Sequence, residues 1–203
     1  MIRNIIFDIG QVLAEFRWKE YIKELGFTEE INERIAKATV LSSYWNEVDR
    51  GVKTMPEIIE LCVALDPEIE EEIRLFYKDR STMVVEFPYA KEFVKQLKEA
   101  GYSIYLLSNY GEENFSYVKD IFTFMPYVDG KIISYEVKTI KPEPAIYQAL
   151  LDTYPILPDE SVFLDDRKEN IEGAKNFGFH TILFTQPDQA KEELRRMGVR
   201  IET

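Results

Sequence analysis

From Pro88 onward, short apolar runs alternate with amphipathic segments of helical period, and this alternation narrows the possible folds more than any other feature of the chain. Tyr89, Phe93, Val94, Leu97 and Ala100 share one helical face, which Gly101 ends; Tyr102 to Leu107 is an apolar run that stops at Ser108-Asn109. A helix from about Glu112 to Phe122 follows, then a short strand around Lys131 to Ser134 and a helix carrying Ile146, Tyr147, Leu150 and Leu151. Val162-Phe163-Leu164 reads as a strand closing on Asp165-Asp166. After it come a helix from about Lys168 to Phe177, a strand from Thr181 to Phe184 and a helix from about Asp188 to Met197. Strands apolar on both faces and separated by helices belong to a parallel sheet covered on both sides. Near the N-terminus, Ile2, Ile5, Ile6, Phe7 and Ile9 add a further buried strand, ended by Gly10. The expected fold class is α/β, a Rossmann-like parallel sheet with helices on both faces.

The spacing of the strand ends predicts an insertion. A βαβ unit takes roughly 30 residues. About 33 positions separate Ser108 from Lys141 and about 24 separate Lys141 from Asp165, whereas about 100 separate Asp8 from Ser108. The surplus is helical in pattern. Trp18, Tyr21, Ile22 and Leu25 stand at i, i+3, i+4 and i+7 before Gly26, and Ile31, Ile35 and Ala38 repeat the period. Thr54-Met55-Pro56-Glu57 reads as the capped start of a helix through Leu65, and Ile69, Ile73, Phe76 and Tyr77 mark another. Nothing between Phe16 and Glu86 reads as strand. The expected organisation is an α/β core over residues 1–15 plus 87–203, with a helical-bundle cap over 16–86. Trp18, Tyr44 and Trp45 are expected in the cap core or between cap and core; the other reading of Trp45, with Glu47, Asp49 and Arg50, is that it faces a pocket. Glu68, Glu70, Glu71 and Glu72 are expected to form a solvated helix face.

Charge restricts the partners. Lys and Arg number 25 against 37 Asp and Glu, a net charge of −12. Such a surface argues against nucleic acid and anionic membranes, which need a basic face, and an anionic substrate would need a locally positive pocket. With 45% hydrophobic residues the chain is not disordered. The lone Cys62 forms no internal disulfide, which suits a reducing compartment. No apolar run approaches the ~18 residues of a membrane span, and Met1-Ile2-Arg3 opens no signal-peptide pattern. The expectation is a cytoplasmic protein with no membrane association and no obligate protein partner.

In open α/β sheets, ligands bind beyond the carboxyl ends of the strands. The residues there are Asp8, Ser108-Asn109 and Asp165-Asp166, joined by Lys141 before Pro142-Glu143-Pro144. Carboxylates at one sheet edge suit a hard cation such as Mg²⁺, which keeps positions for phosphate and water. A lysine suits the phosphate itself. His180, just before an apolar strand, reads as structural.

Taken in order, Phe7-Asp8-Ile9-Gly10-Gln11-Val12-Leu13, Leu107-Ser108-Asn109, Lys141-Pro142-Glu143-Pro144 and Phe163-Leu164-Asp165-Asp166 resemble the four motifs of the haloacid dehalogenase-like hydrolase superfamily. Asn170-Ile171-Glu172-Gly173-Ala174 resembles the subfamily with a helical cap inserted after the first motif. The resemblance implies a phosphatase acting on a small phosphorylated metabolite such as a sugar phosphate. Asp8 would be the nucleophile that forms an aspartyl-phosphate, and Ser108, Asn109 and Lys141 would hold the phosphate. Asp8, Asp166 and the Gly10 backbone carbonyl would bind Mg²⁺, with Asp165 a ligand or a neighbour of the ligands. Two alternatives stand beside it: a metal-independent 2-haloacid dehalogenase and a non-catalytic phosphate-binding protein.

Position 10 departs from the pattern. Phosphatases of the superfamily usually carry there a second Asp that serves as acid and base, whereas a group that includes α-D-glucose-1-phosphate phosphatases is similar to this chain in having Gly. Without that acid, esters with good leaving groups, such as anomeric sugar phosphates, are expected to react best, unless Glu15, Glu47 or Asp49 stands in from the cap or its entry.

Overall fold

The structure, a computed structural model, describes residues 1–202. In chain order the elements are β1 (Asn4–Phe7), β2 (Ala14–Phe16), α1 (Trp18–Glu24), α2 (Glu29–Ala38), α3 (Tyr44–Arg50), α4 (Met55–Leu65), α5 (Glu70–Lys78) and β3 (Val84–Glu86). Then come α6 (Ala90–Glu99), β4 (Ser103–Ser108), α7 (Glu112–Val118), β5 (Gly130–Ile133), α8 (Ser134–Val137) and α9 (Pro144–Thr153). The chain continues through β6 (Ser161–Asp165), α10 (Lys168–Lys175), β7 (His180–Leu183) and α11 (Pro187–Arg196).

The five strands β5-β4-β1-β6-β7 pair side by side, all parallel. Their two-residue period explains why each reads as a continuous apolar run. Ile5, Phe7, Ile104, Leu106, Val162 and Leu164 face one side, packing with Phe93, Phe115 and Leu194 of α6, α7 and α11. Ile6, Tyr105, Leu107 and Phe163 face the other, packing with Ile146, Tyr147 and Ile171 of α9 and α10. The chain leaves β1 toward β4 on one flank and returns to β6 on the other. The end of β1 is thus the point where strand order reverses, the usual place for a ligand.

Between β2 and β3, helices α1 to α5 gather around their own buried cluster, with Tyr21, Ile35, Cys62, Ile73 and Phe76 at its centre. Thr54 and Glu57 form the expected capping box at the start of α4. The expectation that 16–86 holds no strand is corrected. Phe16 ends β2, and Val84–Glu86 is β3, which pairs antiparallel with it at the base of the insertion. Three-residue strands are too short to show a period. Helix α3 falls where no helix is expected, and α7 ends at Val118 rather than near Phe122.

Candidate functional site

Each buried strand of the core stops on a polar residue, and register brings these stops together. Phe7 pairs with Leu106 and with Leu164, so Asp8 emerges between Ser108 at the end of β4 and Asp165 at the end of β6. Lys141, on the loop before α9, reaches in from the side. Its Nζ lies 2.9 Å from Asp8 Oδ1 and 2.6 Å from Asp165 Oδ2, with the lysine side chain 1% exposed. Ser108 Oγ donates to Asp8 Oδ1 at 2.6 Å, and the Ile9 backbone N–H donates to the same oxygen at 2.7 Å. The contacts to Asp8 therefore converge on Oδ1.

Two side chains hold this arrangement in place. The Asn109 amide accepts from the Lys141 backbone N–H at 2.7 Å and donates to the Lys141 carbonyl at 3.0 Å, fixing the lysine's backbone on both sides. Asn170 Nδ2 donates to both Asp165 oxygens at 3.0 Å, and the Arg167 backbone N–H donates to Oδ1 at 2.8 Å. Asn170 is not among the expected site residues. Its signal was its place five residues past Asp165, on the face of α10 turned to the strand ends.

The burial of these charges sets their protonation. Asp8 is pushed up to about 7, chiefly by burial; Lys141 opposes the rise and Asp165 adds to it. Asp166 is raised by burial and by Asp165. Burial lowers Lys141, but the attraction of Asp165 and Asp8 outweighs it, so its proton is held more firmly than usual. Asp8, Asp165 and Asp166 each bring a carboxylate oxygen within 4.8 Å of the other two. Three hard oxygen donors, two of them raised by burial and by the neighbouring Asp165, form a donor set that a divalent cation fits. Gly10 lines the same cavity.

Above the strand ends lies a cavity of about 540 Å³ between core and helical insertion. Asp8, Lys141, Asn109 and Asp166 line its core side, and Phe16, Val40, Trp45 and Asp49 its other side. Trp45 stacks on Phe16 with ring centroids 5.6 Å apart, packs edge-on to Phe76 of the insertion's own cluster and lines the cavity, so both readings of this tryptophan hold. His180 is exposed, against the Asp159 carbonyl, and does not line the cavity.

One ion pair joins insertion and core beside the site. Arg50 Nη1 and Nη2 bind the two Glu143 oxygens at 2.7 and 2.6 Å. The Arg50 guanidinium and the Thr139 hydroxyl hold Glu143 down to about 2, against the effect of its partial burial. A depressed carboxylate stabilises the fold above its unfolded pKa, and that contribution fades as pH falls through the folded value. Glu143→Gln is therefore expected to cost under about 1 kcal/mol at neutral pH, since the side chain is 40% exposed and screened by solvent. Urea unfolding from pH 5 toward pH 2 should show the gap from wild type closing.

A model of the haloacid dehalogenase-like hydrolase family matches residues 2–178. The chain belongs to that family. A family enzyme from Bacteroides thetaiotaomicron, solved in complex with magnesium and inorganic phosphate, superposes with a TM-score of 0.71 at 26% identity, covering 91% of this chain and 95% of that one. A D-ribitol-5-phosphate phosphatase of the same organism is 24% identical over 98% of both chains. Bifunctional epoxide hydrolase 2 of Mus musculus is 29% identical over 84% of this chain and 31% of its own length. (S)-2-haloacid dehalogenase 4A of Burkholderia cepacia is also 29% identical, over 56% of this chain and 48% of its own. The chain thus spans about a third to a half of the first curated relatives it matches. No helix among the described residues is long and apolar enough to cross a membrane.

Proposed function

We propose that this hydrolase is a Mg²⁺-dependent phosphatase of a small phosphorylated metabolite, a sugar phosphate in class, working through an aspartyl-phosphate on Asp8. The observation that carries this reading is Asp8 at the cavity floor, one oxygen held by Lys141 and Ser108, beside a three-carboxylate cluster. The cavity also suits a small guest and is bounded on one side by the helical insertion, which we read as a cap domain over residues 16–86 on a core of 1–15 plus 87–203. The separate apolar clusters of the two parts support that division.

In this mechanism the Asp8 carboxylate attacks phosphorus and the ester oxygen departs with the bonding pair. Lys141 and Ser108, already at hydrogen-bond distance of Asp8, hold the phosphoryl oxygens, and the lysine charge offsets the negative charge spread over them. Asn109 and Asn170 keep Lys141 and Asp165 in place. Asp8, Asp166 and the Gly10 carbonyl would hold Mg²⁺, with Asp165 beside them; the ion supplies electrostatic stabilisation of the transferring group. Water then displaces phosphate from Asp8.

The dehalogenase relatives favour a second reading, in which Asp8 displaces halide from carbon without metal. The carboxylate cluster counts against it, because uncompensated carboxylates repel an anionic haloacid. A screen of phosphorylated metabolites and 2-chloropropionate, with Mg²⁺ and again with EDTA, separates the two. Phosphate release that depends on Mg²⁺ is expected; chloride release in EDTA would establish the dehalogenase. Binding of phosphate with no turnover of either class would leave the non-catalytic reading.

A further inference from the structure

Hydrolysis of an alkyl phosphate leaves an alkoxide unless a proton reaches the departing oxygen, and position 10 has no side chain to supply one. The space beside it is open. A β-carbon built on Gly10 would meet nothing within 4 Å. The proton must come from elsewhere on the cavity wall, and the candidates there are few. Among the described residues the carboxylates lining the cavity are Asp8, Asp166 and Asp49. In the phosphatase reading the first is the nucleophile and the second a metal ligand. Arg80 and Arg167 do not release protons at working pH, and Lys141 is bound to two carboxylates. Glu47 pairs with Arg50 at 3.4 Å, and Glu15 points away on the exposed side of β2. We propose, on the strength of that reading, that Asp49 of α3 is the general acid that protonates the leaving-group oxygen and then the base that deprotonates water.

Asp49 belongs to the insertion but is fixed to the core more firmly than its neighbours in sequence would suggest. Four consecutive residues are docked. At Val48 the backbone of the next core loop comes so close that a β-carbon on Gly111 would lie 2.6 Å from Val48 Cγ1. The Asp49 carbonyl accepts from Ser134 Oγ at 2.5 Å, and that same buried hydroxyl accepts from the Tyr110 backbone N–H at 2.8 Å. Arg50 makes its two-pronged pair with Glu143. The Gly51 carbonyl accepts from Lys138 Nζ at 2.6 Å, and Gly51, at φ 65°, lies so close to Tyr135 that a β-carbon would be 2.8 Å from the tyrosine's own. Ser134 thus ties the backbone of Asp49 to that of Tyr110, two residues from Ser108. The Asp49 backbone is thereby held at a set place, and its side chain lines the same cavity as Asp8, as acid catalysis requires.

The surroundings favour a proton carrier. Burial and the neighbouring Asp8 push Asp49 up to about 7, while the Gly111 N–H, Lys141 and Arg167 act the other way. The Tyr110 hydroxyl, which lines the same cavity from the core, is buried with no hydrogen-bond partner, and burial together with Asp49 and Asp8 raises it, so it stays protonated. A half-buried carboxyl and an unsatisfied hydroxyl on one cavity suit a polar oxygen entering from the substrate.

The steps balance. The Asp8 oxygen forms its bond to phosphorus as the ester P–O bond breaks; the bonding pair stays on the ester oxygen, which takes the Asp49 proton and leaves as an alcohol. Water then attacks phosphorus and gives its proton to Asp49, and the pair of the Asp8–phosphorus bond returns to the Asp8 carboxylate. Phosphate departs and the acid is regenerated.

The test measures kcat/KM of the full chain with Mg²⁺ on phosphate monoesters from p-nitrophenyl phosphate to simple alkyl phosphates. Wild type is expected to depend weakly on leaving-group acidity. Asp49→Asn should lose 10²–10⁴-fold on the alkyl esters, mostly in kcat, and less than about tenfold on p-nitrophenyl phosphate. Adding Gly10→Asp to Asp49→Asn should return much of the alkyl activity. A steep leaving-group dependence in wild type overturns the proposal even if the variants do not fold. So does an equal loss by Asp49→Asn on both ester classes, or a Tyr110→Phe variant that reproduces the selective loss while Asp49→Asn does not. A wild type that hydrolyses no phosphate ester overturns the phosphatase reading and this proposal together; an active wild type that Asp49→Asn leaves unaltered overturns this proposal alone.

Discussion

Asp8→Asn is expected to remove at least about 10⁴-fold of the phosphatase kcat while the protein keeps or gains thermal stability. The two halves of that expectation have one cause. A carboxylate in this place is buried, stands beside Asp165, and is pushed up to about 7 even with Lys141 at 2.9 Å. For an acid, a raised folded pKa means that folding disfavours the charged form, so above the ordinary carboxylate range the charge on Asp8 costs stability. The amide removes that charge at almost constant shape. Its Oδ1 can still accept from Ser108 and the Ile9 N–H, and Lys141 keeps its bond to Asp165. In the phosphatase reading what disappears is the nucleophile, since a neutral amide does not attack phosphorus. Calorimetric melting should place the variant at or above wild type, with a gap that widens from pH 5 to pH 8. Acid-quenched wild type should yield a phosphorylated peptide containing Asp8, and the variant should not. Turnover of the variant within about tenfold of wild type would mean that another residue carries the phosphoryl group.

Much of this site is legible in the sequence because a doubly covered parallel sheet leaves an unusual signature. Strands such as Ile104–Leu107 and Val162–Leu164 are apolar on both faces, so the first polar residue after each run marks the strand's carboxyl end. Asp8, Ser108 and Asp165 are found by that break alone. Lys141 follows no strand, and its place depends on Asn109 holding its backbone across 32 positions, a contact that no local pattern encodes. The same limit hides α3. With seven residues and only Val48 buried, it shows no helical period, although Gly51, at φ 65°, is a stop signal. Strands β2 and β3 are three residues each and make sense only as partners of one another. Trp45 and Asp49 stand in the sequence as pocket candidates beside a rival reading, because their direction depends on how the insertion meets the core. That is set by Ser134, Gly111 and Glu143, more than 60 positions further along.

Lys141→Ala is expected to be the most destabilising change in the site, by about 3–5 kcal/mol in EDTA, because it strands buried carboxylates rather than merely deleting a contact. Asp165 is fully buried and Asp8 nearly so, and the lysine ammonium lies between them over the Phe163 ring, 5.3 Å from its centroid. Asn170 and the Arg167 N–H still serve Asp165 after the substitution, and Ser108 still serves Asp8, but these are neutral donors and two like charges then face each other. Two consequences distinguish this from an ordinary cavity mutation. Mg²⁺ should recover a large share of the lost stability and bind Lys141→Ala more tightly than wild type, since the cation then meets carboxylates with no competing ammonium. Adding Asp165→Asn to Lys141→Ala should also recover stability, giving a coupling of 0.5–3 kcal/mol in a double-mutant cycle. Activity should not follow stability back, because the Mg²⁺-loaded variant still has no ammonium for the phosphoryl oxygens and is expected to remain 10²–10³-fold below wild type in kcat. Urea unfolding with EDTA and with Mg²⁺, alongside calorimetric Mg²⁺ titration, checks each part. A loss below about 1 kcal/mol in EDTA would show that Lys141 does not neutralise the buried pair, and the electrostatic account of the site would fail with it.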